Sequence, residues 1–368
     1  MPLRLKQFYF VLMLAALVFG FLHLFADAGP YNFERLHVFL FNLCAGGSVI
    51  LFFSETPRRF SPRVFLFMTL ALAYAVFAFF QFYIPAVMLS LVLALIVESI
   101  RVQRFSLFPW GFFRADEPVD KKFHQAALLC LSLGLAISAA VIINNEYLEL
   151  VSFPKLQLDV FFLGFSFPVS LITLSLIFSF MDGRKNTGIR ILKEIGFWAV
   201  NLGVIIFFLF IIFEKLSSQV IVTLILFAAV AMITVLYYRL GKTVQQKHFL
   251  TSGMGFLLIT AVTGIGYIFA EMGTGYTGER YHWLLKLHAF ASLYGWNLCG
   301  LAVIFRYDDF PITLHSRPLI VFHWITALVL APLGIYFPLF SLMAVACYGV
   351  LLYAILFASK ATREMYTS

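Results

Sequence analysis

Charge is what this chain has least of. Acidic and basic residues together make up 12% of its 368 positions, against 62% apolar. A soluble domain of that length needs about a quarter of its residues charged to cover itself, so a soluble globular protein is excluded. Cysteine is sparse as well. Cys44, Cys130, Cys299 and Cys347 form no C-x-x-C pair, which argues against a disulfide framework or a zinc site. The sequence contains no phosphate-binding glycine loop, no H-E-x-x-H and no nucleophile elbow, so the common soluble-enzyme chemistries have no foothold. No linker rich in Gly, Ser or Pro divides the chain, and 1–368 reads as a single integral membrane domain.

Long apolar runs fill the space that charge leaves, with a mean hydropathy of +0.94 and 45 phenylalanines. Runs of about 20 apolar residues have one suitable solvent, the bilayer, where a helix satisfies its own backbone hydrogen bonds. Spans are expected near 7–26, 34–53, 63–82, 84–100, 123–144, 158–181, 191–213, 218–238, 249–270, 282–305, 318–336 and 338–358. Pro85 splits one overlong run into a tight hairpin, and Pro338 splits the last. The expected fold class is an all-α polytopic transmembrane helical bundle of about 12 spans.

Basic residues give the orientation, because Lys and Arg accumulate in cytoplasmic loops. With the N-terminus inside, all of the 26 basic residues except Arg35, Lys155, Lys215, Arg280 and Lys286 fall on the inner side, so both termini are expected in the cytoplasm. The net charge of +8 then reflects inner loops facing anionic lipid, with no nucleic acid implied. Arg4 and Lys6, an apolar stretch and Ala26-Asp27-Ala28 have the layout of a signal peptide. The apolar stretch exceeds a signal core, which favours a retained first span. Between spans 4 and 5, Phe105 to Trp110 beside charged residues suits the headgroup layer.

A short phrase occurs twice, as Arg35-Leu36-His37-Val38-Phe39 and Lys286-Leu287-His288-Ala289-Phe290, each just inside the outer end of a span. An ionisable side chain in hydrocarbon is costly and needs a reason. On span 10 the helical period places Tyr281, Leu285, His288, Ser292, Gly295 and Cys299 on one stripe, whose small residues let a neighbour or a flat ring come close. On span 2, Glu34, His37, Phe41, Cys44 and Ser48 form the matching stripe. If spans 2 and 10 pack together, His37 and His288 become axial ligands of one haem (haem b), with Glu34 or a backbone carbonyl taking each second ring nitrogen. Arg35 and Lys286 would snorkel outward or pair with propionates. Interhelical hydrogen bonding by the same histidines is the competing reading, and ion or proton handling is a third. His23 and His282 read as interfacial anchors, His124, His248 and His315 as solvated inner loop ends, and His323 as a packing histidine. Asp159 is an isolated acid at the start of span 6, which Gly164 and Pro168 make a kink candidate. Asn201 reads as interhelical glue.

Twelve spans with histidines toward the outer side of spans 2 and 10 resemble subunit I of the haem-copper oxidases, where those two spans supply haem-iron ligands. Lys286-Leu287-His288-Ala289-Phe290 through Tyr294-Gly295-Trp296 resembles the H-x-H followed by G-W of that group. The chain also resembles the NnrS family of twelve-span haem and copper proteins tied to nitric oxide stress, through His288-Ala289 followed by Arg306, His315 and Arg317-Pro318-Leu319. The pattern departs where Phe290 replaces the second histidine, and spans 6 and 7, which carry copper ligands in the oxidases, contain no histidine. The resemblance therefore implies one haem, or a scaffold that has lost its metal, without an oxygen-reducing centre; a redox or membrane-complex partner and the inner membrane of a bacterium are expected. A secondary transporter and a non-catalytic complex subunit are the alternatives. The ionisable groups lie near the two surfaces, which weighs against proton-coupled transport.

Overall fold

The computed structural model describes residues 1–26, 31–56, 60–152, 155, 160–182, 187–244, 246–273, 276–307 and 316–358. Among the described residues, twelve helices are long and apolar enough to cross a membrane: span 1 Leu3–Leu22, span 2 Phe33–Ser54, span 3 Pro62–Phe79, span 4 Tyr83–Arg104, span 5 Val119–Leu148 and span 6 Phe162–Ser179. They continue as span 7 Thr187–Ile212, span 8 Leu216–Leu240, span 9 Gln246–Met272, span 10 Arg280–Phe305, span 11 Arg317–Gly334 and span 12 Pro338–Phe357. The two hairpins fall at the expected prolines. Pro85 sits in the first turn of span 4, after Gln81 reverses the chain at a φ of 61°, and Pro338 opens span 12.

Burial ranks the spans with a period of four. Span 2 is buried over all of its apolar window (100%), spans 6 and 10 over 78% and 72%, and no other span over more than 56%. These three form the axis of the bundle and their neighbours shield them from lipid. Each also carries a stretch wound as π-helix: Phe39–Gly47 in span 2, Val160–Ser166 at the start of span 6, and Ala291–Asn297 in span 10. A π turn spends one extra residue and leaves a carbonyl open to another partner. In span 6 the wide turn ends just before Pro168, so the proline falls where the winding changes.

Close approach along the axis is set by missing side chains. A Cβ on Gly46 would meet Val169 of span 6, and one on Gly300 of span 10 would fall on the Thr173 side chain. A polar seam joins the same helices: Asn297 Oδ1 accepts from Ser170 Oγ (2.9 Å), and Trp296 Nε1 donates to the same hydroxyl (3.0 Å). Asn201 differs from its expected role. Its Nδ2 donates to Phe197 O in the preceding turn of its own helix (2.9 Å).

The cations on the expected inner side do more than face lipid. Spans 2, 6 and 12 all end on that side, and each presents unpaired C-terminal carbonyls there. Arg104 donates to Ser54 O (2.6 Å), Lys193 to Met181 O and Asp182 O (3.2 and 3.1 Å), and Arg306 to Ile355 O and Ala358 O (3.1 and 2.8 Å). Cations at helix C-termini also complement the helix dipole. The orientation has a direct check. A cysteine at Leu150, exposed between spans 5 and 6, should react with a membrane-impermeant maleimide on intact cells. One at Lys242, between spans 8 and 9, should react only after permeabilisation; the reverse pattern would turn the bundle over.

Candidate functional site

His37 enters the site because span 2 starts cleanly. Asn32 caps it by accepting from Arg35 N (2.8 Å), and His37 follows within the next turn, 8% exposed. Its Nδ1 lies 2.8 Å from Ala16 O on span 1. A carbonyl only accepts, so Nδ1 carries the proton and Nε2 keeps a lone pair. The ring lies over Gly20, where an added Cβ would stand 2.8 Å from Nδ1.

His288 repeats this arrangement on span 9. Its Nδ1 lies 2.8 Å from Thr260 O, and a Cβ on Gly264 would stand 3.1 Å from the same nitrogen. Each copy of the repeated phrase therefore docks on the span that precedes it, with its histidine bonded to the carbonyl of residue n and its ring over a glycine at n+4. Those two positions share one helix face a turn apart, so the missing side chain opens a notch the width of an imidazole. The two phrases are also tied together: Lys286 Nζ pairs with Glu34 Oε1 at 3.0 Å.

The small-residue stripe on span 10 admits a close neighbour as expected, and that neighbour is span 9. A Cβ on Gly295 would overlap the Phe256 ring, and Cys299 lies against Gly253. The span 2 stripe turns to span 1, where the Tyr9 hydroxyl meets Ser48 Oγ at 2.8 Å. His37 and His288 thus rest on different helices. On its side toward His37, span 10 presents Tyr294 and Phe290. The Tyr294 hydroxyl lies 2.8 Å from His37 Nδ1 and 3.3 Å from Nε2, and Phe290 stacks on Phe21 of span 1. With Nδ1 protonated toward Ala16, the hydroxyl donates to Nε2. Of the other expected residues, Ser292 is half-buried, Arg35 is exposed, and Glu34 serves Lys286 while backbone carbonyls serve the imidazoles.

Tyr294 is the residue that sequence reasoning underweighted. It is 2% exposed and packs on Phe41 and Tyr348 as well as on His37. Its carbonyl, inside the π turn, accepts from His323 Nε2 at 2.6 Å. His323 is fully buried between Phe249 and Phe256, and its Nδ1 has no partner; Asn42 and the Tyr348 hydroxyl are also unsatisfied. His124, expected at a solvated loop end, is 4% exposed instead, bonded to Ser54 Oγ (2.7 Å) and packed between Phe53 and Phe105. His248 and His282 are exposed. His315 and Asp159 lie outside the described residues, as does the side chain of His23.

Among the described residues, no three His, Cys, Asp or Glu side chains converge as a bare metal ion would require. A haem brings its own equatorial nitrogens and asks the protein only for axial ligands. The class of the molecule is settled by the fold: it is an all-α, multi-pass integral membrane protein. Compared with family models, curated proteins and solved structures, the chain matches none of them.

Proposed function

We propose that the protein binds haem through His37 and His288 near its outer face and serves electron transfer or a nitric-oxide-related role. The observation that carries this reading is the pair of matching cradles. A metal-bound imidazole is normally held by a hydrogen bond from its other nitrogen, which fixes tautomer and ring plane. Both histidines have that bond, from Nδ1 to a backbone carbonyl, which leaves Nε2 as the atom that would take the iron. Among the described hydrogen bonds the His288 ring makes only the one from Nδ1, which leaves Nε2 to a ligand. Haem held in this way would supply a one-electron couple, and a small gas would reach the iron only by displacing one of the two imidazoles. The protein's own part is to hold two neutral imidazoles, to charge the outer rim with Arg35, Lys286 and Glu34, and to keep water out with Phe21, Phe41 and Phe290.

Ligation at His37 would exchange the Tyr294 hydrogen bond for a bond to iron. Titration of ferric haem into the detergent-solubilised full chain should therefore saturate, and Tyr294→Phe should tighten it by about threefold to tenfold, the worth of one hydrogen bond. The same hydroxyl favours a second reading, in which His37 and Tyr294 simply join spans 2 and 10 in a cofactor-free scaffold. Under that reading the titration shows no saturable binding, and Tyr294→Phe costs only about 1 kcal/mol of stability.

A further inference from the structure

On the expected inner side of the bundle, a cleft of about 610 Å³ opens between the short helix Trp110–Phe113 and the first turns of spans 5 and 7. Span 7 gives it one continuous wall, because Arg190, Ile191, Glu194, Ile195 and Trp198 follow at helical spacing. The wall is graded along the span. Arg190 stands at the mouth, and Trp198 lies eight residues on, about 12 Å deeper at the rise of an α-helix. Its apolar part is open sideways to hydrocarbon: Ile191 and Ile195 are 52% and 50% exposed, and Phe113, packed on Trp198 with 5.5 Å between ring centres, is also exposed.

Charge around the mouth resolves pair by pair. Arg114 pairs with Asp116 (2.8 Å), Lys121 with Glu117 (3.3 Å) and Lys122 with Glu194 (2.8 Å). Asp120 stands in the first turn of span 5, where an acid complements the helix dipole. The Lys193 amine goes to the carbonyls of Met181 and Asp182. Arg190 is left over. It is exposed, and among the described residues its guanidinium has no ion-pair or hydrogen-bond partner. One open positive charge therefore stands at the head of an apolar slot. A phosphodiester supplies the matching charge and two oxygens for the guanidinium fork, and an acyl chain suits the slot. A headgroup ammonium would find Asp116, Glu117 and Glu194 already matched, so a headgroup without one suits the mouth better.

From this arrangement we infer that the cleft holds one anionic phospholipid with an uncharged alcohol headgroup, of the phosphatidylglycerol class. Its phosphate is bound by Arg190, and one acyl chain runs along Ile191, Ile195 and Trp198. The inference is independent of the haem reading.

Native mass spectrometry of the full chain, after exchange into mixed micelles holding equal phosphatidylglycerol and phosphatidylethanolamine with identical chains, tests it. One phosphatidylglycerol should be retained about fivefold over phosphatidylethanolamine, and Arg190→Gln should lower that retention about fivefold, the weight of one cation at a headgroup layer. Arg190→Lys keeps the charge and should keep the preference. Arg239→Gln removes an exposed cation on the same side, in the last turn of span 8 and outside the cleft, and should change nothing. Trp198→Ala should lower retention of both lipids and leave their ratio as it was. Equal retention of the two lipids, retention of neither, retention indifferent to Arg190→Gln or to Trp198→Ala, or an equal loss from Arg239→Gln would each overturn the assignment.

Discussion

Protein purified from haem-replete cells should show a Soret band, and His37→Ala and His288→Ala should each abolish it. The two effects should be similar because the cradles are similar: in each, one Nδ1 is spent on a carbonyl and one Nε2 remains. Loss of an outer-shell partner alone costs about tenfold to a hundredfold in metal affinity, and loss of the ligand itself costs at least that. The cradle predicts a graded companion. Gly20→Ala drives a methyl to within 2.8 Å of His37 Nδ1, whereas Gly264→Ala stops at 3.1 Å from His288 Nδ1. Haem content should fall further in the first variant than in the second, as absorbance per protein would show. Equal, full haem content in both would mean that the notches do not set ring position.

Gly134→Leu should leave no folded protein to purify. In spans 5 and 6, Gly134 and Gly164 meet backbone to backbone, and an added Cβ on Gly134 would overlap Gly164 Cα. No rotamer change relieves a contact between two main chains, so the helices must part. Overpacking a core that can still adjust costs about 1–3 kcal/mol, and this site cannot adjust, so the loss should exceed that range. Gly266→Leu is the matched control, since nothing lies within 4 Å of a Cβ there. Thermal unfolding in detergent, followed by size-exclusion, should show an aggregated or absent first variant beside a native-like second. Normal behaviour of Gly134→Leu would remove the reason for the close approach of spans 5 and 6.

The membrane fold was legible because hydrocarbon imposes a single rule on each segment. Every span had to be long, apolar and helical, and prolines such as Pro85 and Pro338 marked the turns. The pairing of helices was not legible. The stripe below His288 announced a close neighbour, but small residues do not say which helix comes near, and span 9 takes that place. The n and n+4 notches at Ala16 and Gly20 and at Thr260 and Gly264 were present in the sequence. Nothing in one strand of text links them to histidines 21 and 28 residues away. The π turns escaped for a different reason: they depend on what the freed carbonyl finds, and Tyr294 O finds His323 only once span 11 is in place. Tyr294 looked like one aromatic among many because its hydroxyl gains a partner only in the folded bundle.

Electron paramagnetic resonance of the ferric full-length protein tests the paired-histidine reading most directly. Two neutral imidazoles on one iron predict a low-spin, six-coordinate signal that is lost on replacing either His37 or His288. Iron-free protein, or a high-spin signal untouched by either replacement, would contradict it.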